Sequence, residues 1–378
     1  LALWLLMRGL RRGGRWPICF ALSGAVVGLG WYGYFGARMM LLIVAAYVGW
    51  LWLMQAQRQR GADFLSRNGY HIVVMAVAAF VAIAPLAIYY RDHPGTMMAR
   101  ASQVSIVSGE WLRKERAFTG ETSAAILLRQ FWKAISAFHY TVDPTYWYHA
   151  AIPALDFVSG VLLIFGLVWT AARWRASGSS LLLLWFWMAV ILGWVLTENP
   201  PSSQRMTVVL PAASIIAALG LRWLIALLQR LLGLRGRSNW LGMAVVALMV
   251  IAFVNLHYYF FVYTPTGVYG NPTAEIATRL GRYLTDHAEG RVVYFHGAPA
   301  MYWDIGNLRF LARGVNGVNV QPPAEGQQLS IAPPQDALFV FLPQRLEELA
   351  YVRQRVPGGV ERPVYSERDG RLLYVLYE

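Results

Sequence analysis

PICFALSGAVVGLGWYGYFGARMMLLIVAAYVGWLWLM (residues 17–54) decides what kind of molecule this is. Two apolar runs, 17–30 and 39–54, flank a junction that sets Tyr32, Tyr34 and Arg38 among glycines. Runs of this kind approach the ~18–20 apolar residues that carry a helix across a hydrocarbon core of roughly 30 Å. A plain turn between two such helices needs only Gly or Asn, so the tyrosines and the arginine ask for a reason of their own.

The pattern recurs along the first two thirds of the chain. Candidate spans lie at about 16–34, 39–56, 71–90, 156–173, 180–197, 206–221 and 241–262, and residues 1–7 read as the tail of a further helix. Of 378 residues, 57% are hydrophobic and only 14% charged, with 16 Trp and 20 Tyr. Soluble domains are closer to half apolar and a quarter charged. The expected class is a polytopic α-helical membrane protein with about seven complete spans. The opening LALWLLMRG has no initiator Met and no signal-peptide pattern, which leads us to expect a chain whose N-terminal part is missing.

A formal net charge of +13 would suggest nucleic acid in a soluble protein. Here the basic residues gather in alternate loops: 8–15, 57–67, 172–177 and 222–237. The intervening short loops hold only Arg38 and Arg205. Cytoplasmic loops of membrane proteins carry the excess of Lys and Arg. The surplus charge is therefore read as topological, and nucleic acid is not expected as a partner. Residues 31–38, 91–155, 198–205 and everything after about 263 are expected outside the cytoplasm. The one cysteine, Cys19, lies inside a candidate span, so no disulfide within the chain is expected.

Two parts stand on the expected outer side. In the long loop, Ile126, Leu127, Phe131, Ile135 and Phe138 fall at helical spacing within 121–138, as in a helix lying in the membrane interface. Past Tyr263 the composition changes. Residues 272–287 and 343–356 read as helices, and 291–295, 337–342 and 371–378 as strands. That alternation suggests a small α/β domain, giving a helical membrane domain over 1–262 and an extracytoplasmic α/β domain over 263–378.

Three junctions carry chemistry-bearing residues. Arg38 is a lone cation on the expected outer side, and a guanidinium suits a phosphate because its planar fork offers parallel hydrogen bonds. The alternative is that Tyr32, Tyr34 and Arg38 only anchor the interface. RDHPGTMMAR (91–100) places Arg91, Asp92, His93 and Arg100 just past a span. It reads either as an acid/base and anion site or as a solvated helix stop. TENPPSSQR (197–205) carries Glu198, Asn199 and Arg205, with Arg205 at what reads as a helix start, a poor place for a cation unless an anion joins it. Its alternative is a polar turn. GAPAMYWD (297–304) follows a strand, where α/β folds often bind ligands; a plain strand-to-helix turn is the competing reading. The sequence has no HExxH, no Cys cluster, no phosphate-cradling GxxxxGK[ST] and no GxSxG, which argues against a metalloprotease, a redox enzyme, an ATP-driven pump or a serine hydrolase. The spans hold almost no acids, which places proton-coupled transport second.

Read in order, four segments resemble the bacterial GT-C membrane glycosyltransferases, relatives of protein O-mannosyltransferases and lipid A aminoarabinose transferases. They are ALSGAVVGLGWYGYFGARMMLLIV, IYYRDHPGTMMARASQVSI, AIPALDFVSGVLLIFGLVW and SSQRMTVVLPAASIIAALGL, spread over roughly residues 15–265. The resemblance implies a GT-C-like fold in a bacterial inner or plasma membrane, with the C-terminal domain outside the cytoplasm. It implies an inverting transfer of sugar from a polyprenyl-phosphate carrier to an extracytoplasmic protein, lipid or glycan. By position it gives Arg38 and Arg205, and also Arg100 and His93, to the lipid phosphate, and lets Tyr32 and Tyr34 line the donor groove. No cofactor and no metal ligand follow from it; membrane lipids, the polyprenyl-phosphate sugar and an acceptor do. The acid that serves as catalytic base in such enzymes has no counterpart in this sequence and is expected upstream. A flippase of lipid-linked intermediates and a non-catalytic membrane scaffold are the alternatives.

Overall fold

From Met39 to Ala56 the chain has no charge and no proline, so nothing interrupts the hydrogen-bond ladder of a helix, and one forms over all eighteen residues. In the computed structural model, residues 1–11, 17–97, 104–107, 111–145, 150–234, 236–266, 272–321 and 337–378 are described. They fall into two units, Leu1–Pro265 and Thr266–Glu378.

The first unit is helical: α1 (Ala2–Arg11), α2 (Pro17–Leu29), α3 (Met39–Ala56), α4 (Gly61–Asp92), α5 (Trp111–Thr119), α6 (Ser123–Ser136), α7 (Phe157–Ala172), α8 (Ser177–Val190), α9 (Leu210–Leu231) and α10 (Arg237–His257). Short 3-10 turns at Gly30–Tyr32, Phe35–Arg38 and Ser203–Val208 precede α3 and α9. Wider π turns extend α8 to Val195 and α10 to Tyr263. Among the described residues, five continuous helices are long and apolar enough to cross a membrane: Phe35–Ala56, Gly61–Asp92, Ser177–Val195, Leu210–Leu231 and Arg237–Tyr263. Two of the seven expected spans are shorter, Pro17–Tyr32 and Phe157–Ala172. At ~1.5 Å per residue a sixteen-residue helix is about 24 Å long, short of a full hydrocarbon core.

The two largest helix pairings are α2 with α4 and α7 with α9. Close approach explains the glycines of the first pair. A Cβ at Gly24 would stand 2.0 Å from the Met75 carbonyl oxygen on α4, so only Gly lets these backbones meet. Around these pairs lies a core that includes the fully buried Phe20, Ile43, Tyr47, Leu163, Val190 and Ile216. By contrast α10 keeps almost its whole surface exposed, with Val246, Leu248, Phe253 and Phe261 facing outward.

The amphipathic stretch in the long loop is α6, opened by Thr122, whose hydroxyl accepts from the Ala125 amide at 3.3 Å. Its apolar face is turned onto the protein. Ile126 and Ala134 are fully buried, the helix packs on the Ile191–Val195 turn, and Phe138 stacks on Phe186 and lies 5.3 Å from the Trp194 ring. The sequence places this face in the membrane interface; α8 offers it a protein partner instead.

The second unit is a sheet of order β2-β1-β3-β5-β4. Its elements are α11 (Pro272–His287), β1 (Val292–His296), α12 (Gly306–Leu311), β2 (Asn316–Asn319), β3 (Ala337–Phe341), α13 (Glu348–Arg355), β4 (Glu361–Tyr365) and β5 (Leu372–Tyr377). Strands β2, β1 and β3 run parallel, and β5 and β4 add an antiparallel edge. Alternation along the strands builds two cores. Leu338, Val340 and Leu376 face α11 and α12, while Phe339, Phe341, Val375 and Tyr377 face α13. Strands β2 and β4 and helix α12 are absent from the sequence reading, because both strands are edges and expose much of their length.

Candidate functional site

The junction at residues 30–38 folds as two 3-10 turns because three glycines deny it a continuous helix. Arg38 ends the second turn inside a cage of rings. Its guanidinium carbon lies 4.6 Å from the Phe35 ring centre, 5.4 Å from Trp31 and 5.5 Å from Tyr90. Nη2 donates to the Tyr90 hydroxyl at 2.6 Å and Nη1 to the Met97 carbonyl at 3.1 Å. The Nε–H is buried with no hydrogen-bond partner. A guanidinium has five N–H donors, so this one keeps donating capacity after both protein contacts are counted.

Tyr32 and Tyr34 go separate ways. Tyr32 donates its hydroxyl to the Ala82 carbonyl on α4 at 3.0 Å, which ties the junction to that helix. Tyr34 is about half exposed and lines a cavity of ≈ 400 Å³. The cavity is walled by Val26, Ala37, Met40, Trp185 and Val208 and is mostly apolar.

Arg205 lies on the Ser203–Val208 turn, which packs against the Phe35–Arg38 turn. Arg38 and Arg205 are thus carried by touching elements. Arg205 does not open a helix, as the sequence suggests it does: α9 begins at Leu210, and Arg205 reaches back to the end of α8. Its Nη1 donates to the Thr197 hydroxyl at 2.8 Å and the Glu198 carbonyl at 2.9 Å, while Thr197 donates to the Gly193 and Trp194 carbonyls. A cation at the carbonyl end of a helix is favourably placed. The dipole objection to Arg205 disappears with this placement.

His93 caps α4 on its exposed end. Its ring stacks on Tyr89 at 4.4 Å, and Nδ1 lies 3.1 Å from the Tyr89 carbonyl oxygen. Arg91 and Asp92 pair with each other at 3.1 Å in solvent. Arg100 lies outside the described residues.

Asp143 and Tyr90 are the residues that sequence reasoning did not assign to this region. Asp143 is buried; one carboxylate oxygen accepts from the Thr145 amide and hydroxyl, and the other accepts from the Ser203 amide at 2.6 Å. It therefore fixes the turn that carries Arg205. Nearby, Ser105 and Thr197 form an antiparallel bridge, with the Ile106 amide donating to Leu196 and the Glu198 amide to Val104. Residues 31–38, 104–106, 143 and 197–205, which the charge rule puts on one side, come together in this way. Tyr90 sits in IYYRDHP, and only its contact with Arg38 marks it.

In the second unit, GAPAMYWD is folded into the domain rather than open: Met301 and Trp303 are buried, and the Trp303 amide donates to Asn319 Oδ1 at 2.6 Å. Beside it lies a buried ionic network. His296, at the carboxyl end of β1, has Nδ1 2.6 Å from Glu348 Oε2. Arg345 grips the same carboxylate through Nε and Nη2 at 2.7 Å and donates to the Val320 and Gln321 carbonyls. Burial pushes the His296 imidazole below its ordinary range, against the upward pull of Glu348. The neutral ring then donates from Nδ1 and leaves Nε2 as a buried acceptor without a partner. Among the described residues no group of three or more His, Cys, Asp and Glu gathers where it could hold a metal ion. No family model matches the chain, and neither a curated protein nor a solved structure matches it.

Proposed function

We propose that the first unit binds a polyprenyl-phosphate sugar in a bacterial inner or plasma membrane and serves its transfer to an extracytoplasmic acceptor, as a GT-C-type glycosyltransferase. The observation that carries this reading is the meeting of the two 3-10 turns, which puts Arg38 and Arg205 on touching elements beside an apolar cavity lined by Tyr34. A lipid-linked sugar phosphate needs that combination: an apolar groove for the isoprenoid and fixed cations for the phosphate.

In this reading the bond between the anomeric carbon and the phosphate oxygen breaks, and polyprenyl phosphate leaves with the electron pair. The acceptor's oxygen or nitrogen bonds to the anomeric carbon from the opposite face. Its proton passes to a base that is assigned to no residue of this chain. Arg38 stabilises the charge that develops on the departing phosphate, and its buried Nε–H supplies a donor the protein leaves unused. Arg205 acts through position and charge, and His93 and Tyr34 border the approach. The C-terminal α/β unit stands outside the cytoplasm.

The test is turnover of the full-length protein in vesicles with a polyprenyl-phosphate sugar. Arg38→Ala is expected to lower kcat about 10²-fold or more, the scale of losing one preorganised donor. Equal turnover in the variant, or no transfer by the parent protein from any polyprenyl-phosphate sugar, would overturn the reading.

A further inference from the structure

A second cavity, of ≈ 840 Å³, lies at the hairpin that joins α3 to α4. The hairpin turns at Gln57–Arg60, where the Arg60 amide donates back to the Gln55 carbonyl at 2.9 Å and Gln59 adopts φ +56°. One wall is Arg60, which caps α4, followed by a stripe of that helix: Asp63, Phe64, Arg67 and Asn68 continue from it at three- and four-residue spacing. Gln55 and Leu10 complete it.

Asn68 donates its side-chain amide to the Phe64 carbonyl at 3.1 Å and keeps its Oδ1 as an acceptor; the charged groups of this stripe are unspent. Neither the Arg60 nor the Arg67 guanidinium makes an ion pair or side-chain hydrogen bond with any other described residue. Asp63 stands one turn from each and pairs with neither. Two guanidiniums on one face, unneutralised by the carboxylate between them, form a seat for an anion. The carboxylate and the amides of Gln55 and Asn68 add acceptors beside it. A bare phosphate would use the first set of groups and leave the second idle; it would also leave most of the space empty.

The surroundings choose among anions. Phe64 is buried and, with Leu10, gives the cavity an apolar floor. Just beyond the polar rim, Trp52, Leu53, Leu65 and Tyr70 are 40–69% exposed on α3 and α4. Trp and Tyr at the end of a membrane-length helix sit at head-group depth. Further along α4, Val73, Val77 and Phe80 are also exposed, a surface on which acyl chains can lie. We propose that the α3–α4 hairpin binds the head group of a phosphodiester lipid whose distal arm carries hydrogen-bond donors, an ethanolamine or a glycerol. Arg60 and Arg67 take the phosphodiester; Asp63, Gln55 and Asn68 take the distal ammonium or hydroxyls. The hairpin is one of the basic loops, so the site belongs to the membrane face opposite the Arg38 and Arg205 turns, and it stands whether or not the transferase reading does.

The experiment is native mass spectrometry of the full chain released from nanodiscs of mixed phosphatidylethanolamine, phosphatidylglycerol and phosphatidylcholine. The parent protein is expected to retain one donor-bearing lipid in preference to phosphatidylcholine, whose quaternary ammonium has no N–H. Arg60→Gln/Arg67→Gln is expected to lower that retention at least tenfold, while the exposed pair Arg230→Gln/Arg237→Gln leaves it unchanged. Asp63→Asn is expected to remove the preference over phosphatidylcholine. All four arginines are exposed, so neither double variant threatens folding, and a thermal melt of each checks this. Unchanged retention in Arg60→Gln/Arg67→Gln would overturn the site. Equal retention of phosphatidylcholine would overturn the donor-bearing arm. Displacement of the lipid by an equal concentration of inorganic phosphate would make this a free-anion site and overturn the lipid assignment.

Discussion

Arg205 shows how one side chain can be read in two directions. From the sequence it starts a helix; in the fold it finishes one, holding the Thr197 hydroxyl and the Glu198 carbonyl at the end of α8. Arg205→Met should therefore cost about 1.5–3 kcal/mol, the scale of hydrogen bonds to a charged group, seen as a lower melting temperature of the detergent-solubilised protein. Glu348 in the second unit, with its side chain 16% exposed, is a sharper case. Glu348→Ala strands Arg345, which is 6% exposed, and should destabilise that unit by about 3–5 kcal/mol in denaturant. His296 fixes a pH dependence. Its pKa lies below the ordinary 6.5 in the folded unit, so the unfolded chain binds the proton first. The contribution is whole above about pH 6.5 and is lost as pH falls toward the folded value. A denaturant midpoint that falls below pH 6.5 in the parent and does so less in His296→Leu is the expected result. None of this network was legible in the sequence, because His296, Arg345 and Glu348 are brought together only when α13 closes over the end of β1.

Elements were legible where periodicity was strong and local. Residues 39–56 appear as a helix between the same limits in both readings, since nothing in MMLLIVAAYVGWLWLMQA competes with it. The long loop gave up α6 for the same reason, but not the partner of its apolar face, which depends on Trp194 some sixty residues later. Edge strands escaped: ERPVY carries Pro363 and two charges, yet β5 pairs with it. Of the functional candidates, charge bias brought Arg38 forward, an expected helix start did so for Arg205, and the family resemblance joined the two; the sequence had no means of finding Tyr90 or the anchoring role of Asp143. Tight packing between elements also makes predictions. Gly24→Leu should force α2 from α4 and lower the yield of folded protein, since its Cβ alone meets the Met75 backbone. In the sheet, Gly317→Val sets a side chain into the Trp303 ring, 2.0 Å from the Cβ position. It should shift Trp fluorescence and weaken the second unit by more than 1–3 kcal/mol of ordinary overpacking. Normal melting of either variant would show that the element gives way without cost.

For the whole molecule the open quantity is orientation, and the chain is well suited to measuring it. Its one cysteine, Cys19, is buried, so an added thiol reports alone. Gln57 lies in the α3–α4 hairpin and Gln204 in the turn before α9, and both are exposed. In intact cells, a membrane-impermeant maleimide should label Gln204→Cys and spare Gln57→Cys until the membrane is opened. Labelling of both from outside would break the alternation on which the two-sided reading rests.

The bridge between Ser105 and Thr197 also has a history in time. A ribosome adds roughly 5–20 residues per second, so the ~90 residues separating these strands take on the order of 5–20 s to appear. Until α7 and α8 have been made and placed, Val104 and Ile106 lack the main-chain bonds they make with Glu198 and Leu196, and α6 has no Trp194 to rest on. The pairing of residues 104–106 thus waits for a segment made long after them, and the interval before closure is when a protease or a holding chaperone would find them. A change that weakens the segment around Thr197 would lengthen that interval and shorten the life of the nascent chain, even where the finished protein is left almost as stable as before.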